Sequence, residues 1–366
     1  MKVAATRAGV VPEFFLKNNE HHGHGAHGLI PIYQEQGHTF QADACAPLAA
    51  AVKRGQVEFA ALARGHYPGR KLGPRALPGV KSLGFWDAHY AQDWGLDWHR
   101  NEGIELTLLE RGGLAFAVDR HVCQLKPDDL TITRPWQPHR VGTPHVSAGR
   151  LHWLILDVGV RRPHQPWRWP SWIVLTKADL HELTHILRHT ERPVWRATPA
   201  LRNCFQRIAQ AVEADRAGNN VSRLAAYLNE LFVLVLDMCR QRAVPLDTSL
   251  SSTQRTVALF WDDLRQHPAQ LAKTWTVDAM AWQCGLGVTH FIHHTKQLFN
   301  ATPIQHLNHQ RLELAAQQLQ AQPDRSVLDI ALDCGFASSQ YFATLFSRHF
   351  GCAPRTHRRP PPTQAL

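Results

Sequence analysis

Between residues 83 and 158 the chain alternates short apolar runs with polar turn residues. The clearest runs cover residues 104–109, 114–118, 130–133 and 151–156. Short strands at regular spacing are typical of an antiparallel sandwich or barrel, so we predict a β-barrel here. Residues 57–62 form another apolar run, which fits either a strand or the end of a helix.

From about residue 178 to residue 242 the apolar positions recur at the spacing of helices. Two stripes with steps of three and four residues carry this pattern: Leu201, Phe205, Ile208 and Val212, then Leu224, Leu228, Leu231, Val235 and Met238. Such stripes suit either an intramolecular helical hairpin or the seam of a dimer. Residues 243–252 lack an apolar period and are predicted to be a linker.

An internal repeat follows the linker. Residues 276–286 and 326–336 have similar patterns, with their Cys-Gly pairs at Cys284-Gly285 and Cys334-Gly335. Each copy is predicted to form a short helix, a glycine turn and a second helix, which is a helix-turn-helix.

The helices of the repeat can be bounded from their capping residues. Thr276 and Ser326 are N-cap candidates for helices over 277–284 and 327–333, and the second helices are predicted over 288–299 and 339–350. Between the copies, a helix from Pro303 to about Ala321 would span roughly 28 Å. A rod of this length would hold two recognition helices about one turn of DNA apart.

Composition and charge narrow the class of protein. The 366 residues carry a net charge of +10, which favours a polyanionic partner. The seven cysteines are scattered without a C-x-x-C pair, which argues against a disulfide framework or a zinc finger and for a reducing interior. With no signal segment or membrane-spanning run in the sequence, we predict a cytoplasmic location.

The repeat resembles the signature of the AraC/XylS transcription regulators over about residues 253–358. The second copy carries the most specific part, in Asp329-Ile330-Ala331, Cys334-Gly335-Phe336, Tyr341-Phe342, Leu345-Phe346 and Phe350-Gly351-Cys352-Ala353-Pro354. The first copy departs from the pattern, with Thr295 where a core Phe is usual and Gly287 where a capping Ser is usual. Loss of a large aromatic predicts a less stable or differently packed first copy.

The resemblance implies the residues that contact DNA. The predicted base-reading residues are Thr289, Ile292 and His293 in the first copy and Ser339, Gln340 and Thr344 in the second. The residues expected to contact phosphates are Thr276, Lys296, Ser326, Arg348 and Arg358. The implied partners are double-stranded DNA, a small-molecule effector with a carbohydrate as one candidate, RNA polymerase, and a second copy in a homodimer.

The predicted barrel also resembles cupins, and the sensor half of arabinose-type regulators. The matching residues are His99, Asn101, Glu105 and Gly112, then Asp129, Pro135 and His139. The effector pocket implied by this resemblance is lined by His99, Asn101, Glu105, His139, Trp136 and Trp153. Asn101 stands where enzymatic cupins have a second histidine, so we predict no metal and no cofactor, although His99, Glu105 and His139 would still form a 2-His-1-carboxylate set.

These observations predict an α+β multidomain protein. Its parts are an N-terminal extension over 1–80, a cupin-like barrel over 81–172, a helical dimerisation segment over 173–242, a linker over 243–252, an all-α double helix-turn-helix over 253–358 and a tail over 359–366. The predicted function is ligand-responsive, sequence-specific transcription regulation without enzymatic activity. The alternatives are a metal-dependent cupin oxygenase or isomerase with a helical tail, and a DNA-binding protein whose barrel is only a scaffold.

Overall fold

A computed structural model describes residues 31–35, 38–41, 45–119, 121–215, 218–242 and 244–358. These residues divide into two compact units. The first runs to Arg161 and from Pro166 to Leu246, and the second comprises the chain from Asp247 onward with the short segment Arg162–Gln165. The histidines at positions 21, 22, 24 and 27, the first 30 residues of the predicted extension, and the predicted tail lie outside the described residues.

The first unit contains the predicted strands. They are β1 Pro31–Glu35, β2 His38–Gln41, β3 Glu58–Ala63, β4 Arg70–Lys71, β5 Val80–Ala88, β6 Leu96–His99, β7 Ile104–Gly112, β8 Leu114–Val118, β9 His121–Leu125, β10 Asp129–Thr133, β11 His139–Val141, β12 Gly149–Leu156 and β13 Val194–Arg196. A seven-stranded sheet has the order β13-β10-β7-β12-β5-β3-β4, and a four-stranded sheet has the order β6-β11-β8-β9. β1 pairs with β2 in a two-stranded sheet.

Successive side chains along the central strands of the large sheet point to opposite faces, and both faces are buried. On one face, Leu106 and Leu154 belong to an apolar core shared with helices. On the other face, Trp153 packs in a core that also contains Phe116 of the small sheet. The two sheets therefore enclose a buried interior, while the outer face of the large sheet is covered by helices.

The large sheet begins further upstream than the predicted barrel. β3 pairs antiparallel with β5, from Glu58↔Asp87 to Ala63↔Ser82. The ambiguous apolar run at 57–62 is thus mostly a strand. Residues 58–71, which the sequence placed in an N-terminal extension, contribute two strands to this sheet.

Four helices complete the described part of the first unit. They are α1 Ala46–Lys53, α2 Lys177–His189, α3 Pro199–Ala214 and α4 Val221–Arg240. Every residue of the two predicted stripes, on α3 and α4, is at most 2% exposed and belongs to the core on the outer face of the large sheet. The stripes therefore form an intramolecular hairpin, and they do not supply a seam for a second copy.

The second unit is helical and follows the predicted repeat closely. Its helices are α5 Thr253–Gln266, α6 Pro268–Leu271, α7 Val277–Gln283, α8 Val288–Phe299, α9 Pro303–Ala321, α10 Val327–Asp333, α11 Ser339–Phe350 and α12 Pro354–His357. A short 3-10 helix, Thr248–Ser251, lies within the predicted linker and buries Leu250.

Local chemistry explains where these helices begin. Thr276, Ser326 and Ser338 each accept a backbone N–H of the first turn, as N-cap side chains do. α9 begins with a capping box between Thr302 and Gln305, and Pro303 occupies its first turn. These signals are local in sequence, which is why the boundaries could be predicted.

Each helix-turn-helix has its own apolar core, and α9 contributes to both. The first core contains Trp261, Met280, Phe291 and Leu307, and the second contains Leu312 with other residues of α9, α10 and α11. The partly buried Leu314 packs against both cores. The long helix is therefore a shared structural element and not only a spacer.

The departure at Thr295 is compensated by Trp261. The Trp261 Nε1–H donates to Thr295 Oγ1 at 3.3 Å, and the indole stacks on Phe291 with the ring centroids 5.9 Å apart. Both Trp261 and Thr295 are buried. The first copy is differently packed, as predicted, because the aromatic ring that fills this place comes from α5.

Candidate DNA-reading surface and sensor cluster

The predicted recognition helix of the first copy, α8, buries one face and exposes another. Phe291 and Thr295 are fully buried in the first core. Thr289, His293 and Lys296 are exposed on the same helix, and Ile292 is half-buried. Three polar side chains that can donate or accept hydrogen bonds, and one apolar side chain, are thus available on this helix. The major groove of DNA is wide enough to admit an α-helix.

α11 has the same arrangement in the second copy. Phe342 and Phe346 are fully buried, whereas Gln340, Thr344 and Arg348 are exposed. The last predicted base-reading residue, Ser339, is half-buried at the first position of this helix. The Thr344 hydroxyl donates to the carbonyl of Gln340 at 3.0 Å, which leaves its oxygen lone pairs as acceptors.

Two of the five predicted phosphate contacts, Thr276 and Ser326, lie at helix starts. Thr276 and Ser326 are exposed, and each hydroxyl oxygen accepts a backbone N–H while its own hydrogen remains a donor. Both lie where a helix N-terminus favours an anion. Arg358 differs, because its Nη2 donates to the carbonyl of Arg325 at 2.6 Å and the side chain is half-buried.

One polar residue near this surface was not predicted as a DNA contact. Tyr341 is half-exposed on α11, and its hydroxyl accepts the Asn308 side-chain amide of α9 at 3.2 Å. Tyr341 belongs to the quoted signature, but only the fold shows that its hydroxyl reaches α9.

In the first unit, four of the predicted pocket residues come together between the two sheets. His99 on β6 and His139 on β11 are directly opposed in the strand register, with their ring centroids 4.2 Å apart. Glu105 on β7 places Oε2 2.7 Å from His139 Nε2 and accepts the Asn101 side-chain amide at 2.7 Å. The cluster is buried, with His139 1% and Asn101 3% exposed.

Both imidazoles are oriented by the backbone. His99 Nδ1 lies 2.6 Å from the carbonyl of Asp97, and His139 Nδ1 lies 2.9 Å from the carbonyl of Gln137. Because a carbonyl only accepts, each Nδ1 carries a hydrogen, and Nε2 is the atom left to face the cluster. Burial acts to raise the pKa of Glu105, but the charges of His139 and His99 and the hydrogen bond from Asn101 hold that pKa below its usual range.

A second layer of buried polar groups adjoins the cluster and was missed from sequence. Tyr67 donates to Glu102 Oε2 at 2.6 Å and lies 3.2 Å from Asn101 Oδ1. Burial and the charge of Glu102 hold the pKa of Tyr67 well above its usual value. Lys81 Nζ lies 3.3 Å from Glu102 Oε1. These residues come from three separate segments, so no sequence spacing indicates their meeting.

The two predicted tryptophans are engaged elsewhere. Trp153 donates from Nε1 to Ser82 Oγ at 2.8 Å and packs in the apolar core between the sheets. Trp136 donates from Nε1 to the carbonyl of Val160 at 2.7 Å. Two surface cavities among the described residues of this unit, one beside Ala200 and Gln210 and one beside Phe59 and Phe85, are lined by none of the predicted pocket residues.

Two family models match the chain over these same regions. Residues 87–231 match an AraC-like ligand binding domain, and residues 280–360 match a helix-turn-helix domain. The order of the two domains is that of a sensor followed by a DNA-binding region. The chain belongs to the AraC/XylS family.

Similar proteins agree with this AraC/XylS assignment. The transcriptional activator RhaS from Escherichia coli O139:H28 is 30% identical over 165 residues, which is 45% of this chain and 57% of that protein. RhaS from Escherichia coli O157:H7 has the same identity and coverage. The chain thus spans a little more than half the length of the curated relatives that it matches. These relatives are transcription regulators, and the matching family models describe a ligand binding domain and a helix-turn-helix domain, so the comparisons give no support to the oxygenase or isomerase alternative.

Solved structures of AraC-type regulators are also similar to parts of the chain. An AraC-type regulator from Chromobacterium violaceum is 25% identical over 29% of this chain and 91% of its own, with a TM-score of 0.26. ToxT from Vibrio cholerae strain SCE256, bound to an unsaturated fatty acid, is 10% identical over 75% of this chain and 94% of its own, with a TM-score of 0.33. Among the described residues, no helix is both long and apolar enough to cross a membrane.

Proposed function

We propose that this AraC/XylS member is a ligand-responsive transcription regulator that binds specific DNA sequences. Two helix-turn-helix units would read successive major grooves, and the β-rich unit would sense a small molecule, with a carbohydrate as one candidate. The partners in this proposal are double-stranded DNA, the effector, RNA polymerase and a second copy of the chain.

One observation carries the proposal: α8 and α11 each bury an aromatic face and expose a polar face, and both are joined to α9. α9 has 19 residues, so it is about 28 Å long at 1.5 Å per residue. Successive major grooves on one side of a duplex are about 34 Å apart. A shared helix of this length, with α8 against its first turns and α11 packed further along it, could hold two recognition helices about one turn of DNA apart.

Charge supports a contribution from more than one DNA-binding unit. Residues 253–366 carry ten Lys or Arg against seven Asp or Glu, a net charge of only +3 in a chain of +10. Few phosphate contacts give weak electrostatic affinity per unit. A homodimer that places two such units on one DNA would raise the affinity through effective concentration.

The test begins with selection of a preferred site from a random duplex pool by the full chain. Gln340→Ala is then expected to weaken binding to that site by about 1–3 kcal/mol and to relax the preference at one base pair. Arg348→Ala is expected to weaken all duplexes similarly and to lower the salt slope by about one. Gln317→Ala, an exposed change on α9, is the matched control.

Two outcomes would contradict the proposal. One is the absence of any enriched sequence after selection. The other is equal binding by the Gln340, Arg348 and Gln317 variants.

The sensing part of the proposal is tested separately with the full chain. Thermal unfolding is measured against sugars, sugar acids and other small metabolites. A ligand at a hundred times its Kd adds about 2.7 kcal/mol of stability, which is readily measured as a higher Tm. A ligand that raises Tm and also changes affinity for the selected DNA identifies the effector class, whereas no response across the panel favours a barrel that is only a scaffold.

A further inference from the structure

The buried cluster in the first unit presents three metal-ligating side chains to one point. One ligand atom from each of His99, Glu105 and His139 lies within 4.8 Å of the others. The three residues come from β6, β7 and β11, and the two strands that carry the histidines are neighbours in the small sheet. Two imidazole nitrogens and one carboxylate are the donor set of 2-His-1-carboxylate metal sites.

Hydrogen bonds around the cluster orient these ligands. The Nδ1–H groups of both histidines are directed to backbone carbonyls, which fixes the tautomer that presents Nε2. Glu105 accepts Asn101 at Oε2 and the Thr107 hydroxyl at Oε1, 3.3 Å away. Outer partners of this kind, on ligating histidines and carboxylates alike, are a usual feature of protein metal sites.

We propose that His99, His139 and Glu105 bind one divalent first-row transition-metal ion between the two sheets of the sensor unit, with Asn101 and Thr107 holding the carboxylate. Imidazole nitrogens disfavour Ca²⁺ and Mg²⁺, and the absence of a thiolate ligand in the set disfavours Cu(I). With only three protein ligands, the ion would keep open positions for oxygen or nitrogen donors of a small molecule. This revises the expectation, drawn from Asn101, that the barrel holds no metal.

The test uses the full chain, stripped of metal with a chelator and titrated with Co²⁺ as a visible probe. We expect one equivalent to bind, with absorption bands of cobalt in a nitrogen and oxygen environment, and Zn²⁺ or Mn²⁺ to compete for the same equivalent. Elemental analysis after dialysis gives the stoichiometry independently of DNA binding.

Variants locate the ion. Glu105→Gln and His139→Gln remove one ligand each and are expected to weaken Co²⁺ binding by more than 100-fold. Asn101→Ala removes only a hydrogen bond to a ligand, and a weakening of about 10–100-fold is expected. The matched control is Glu110→Gln, which disrupts another His–carboxylate contact, between Glu110 and His152, and is expected to bind Co²⁺ as the unaltered chain does.

The N-terminal histidines need their own control. The same titrations are run on a chain with alanine at positions 21, 22, 24 and 27, because these residues also offer imidazoles. Far-UV circular dichroism and Tm show whether each variant is folded.

The proposal is overturned if the folded, unaltered chain binds no Co²⁺, Zn²⁺ or Mn²⁺. It is also overturned if one equivalent persists in both Glu105→Gln and His139→Gln, or disappears with the N-terminal histidines alone. It does not depend on DNA recognition, since a chain that reads no DNA would still bind the ion.

Discussion

At the scale of single residues, His306 on α9 combines an aromatic environment with a titratable ring. The imidazole stacks on Phe299, with the ring centroids 3.8 Å apart, and meets Trp261 edge-on at 4.7 Å. Burial, with a smaller contribution from the charge of His309, lowers the pKa of His306 to about 4. The neutral ring is therefore the form that packs in the first helix-turn-helix.

This lowered pKa predicts a loss of stability in mild acid. Between about pH 6.5 and pH 4 the unfolded chain binds a proton at His306 that the folded chain does not, so stability falls as the pH falls through this range. After discounting for partial exposure, the loss is expected to be ~1–2 kcal/mol. It is measured as the free energy of urea unfolding against pH.

His306→Phe should keep the stacked ring and remove this part of the pH dependence. His290→Phe, at an exposed position of α8, is the control and should leave it in place. Identical pH profiles for His306→Phe and the unaltered chain would show that another group is responsible.

Residue identity alone could not resolve every site. Thr295 marks a missing aromatic in the local pattern, but its replacement, Trp261, lies 34 positions away in the chain. In the same way, His99 and His139 match separate motifs, and only the strand register shows that they are directly opposed. Local spacing predicts such residues as candidates, whereas non-local pairing decides whether they meet.

At the scale of elements, the turn between α10 and α11 is limited by close packing. Gly335 has a φ of +85°, and a Cβ there would lie 2.5 Å from the carbonyl oxygen of Ala272, just after α6. Arg311 of α9 binds the same segment through two hydrogen bonds. Its Nε donates to the carbonyl of Leu271 at 3.0 Å, and its Nη2 donates to the carbonyl of Lys273 at 2.6 Å. The turn of the second copy is thus packed closely against the segment that follows α6.

We predict that Gly335→Ala destabilises the DNA-binding unit more than Gly351→Ala. Both glycines have positive φ, so both changes carry a backbone cost of about 1 kcal/mol. Only position 335 adds a steric clash with backbone, since a Cβ at Gly351 meets no described atom within 4 Å. For Gly335→Ala we expect an additional loss of about 1–3 kcal/mol in the free energy of unfolding, measured by urea unfolding of variants of the full chain. Equal losses would mean that the segment after α6 can move aside.

The elements of the second unit could be bounded from sequence because their signals are local. Thr302, Gln305 and Pro303 sit within one turn and mark the start of α9, and the predicted end at Ala321 is also observed. The apolar stripes of α3 and α4 were ambiguous for the opposite reason. The same spacing of apolar residues is found in intramolecular hairpins and in dimer seams. The two are distinguished only by the fold, in which both stripes pack in one apolar core with the large sheet.

At the scale of the whole molecule, the shared helix α9 makes the second unit one body with two reading surfaces. Leu314 packs against both apolar cores, and Arg311 and Gly335 hold the segment after α6 in place. The separation of α8 and α11 is therefore set by the protein.

This fixed separation predicts low tolerance to altered spacing in the DNA. Inserting five base pairs between the two contacted subsites turns one subsite by about half a helical turn, onto the other side of the duplex. Binding of the full chain to that duplex should fall to the level of a site with one subsite scrambled, as measured by titration with labelled DNA. Unchanged affinity after the insertion would indicate that only one helix-turn-helix contacts bases.

The two copies share a backbone plan but not their exposed side chains. Thr289, Ile292 and His293 lie on one recognition helix, and Ser339, Gln340 and Thr344 lie on the other. A single protomer would therefore recognise a directional sequence, with no palindrome inside its own footprint. Its placement on a promoter would have a polarity, so reversing the site relative to the start of transcription would present the sensor to the opposite flank.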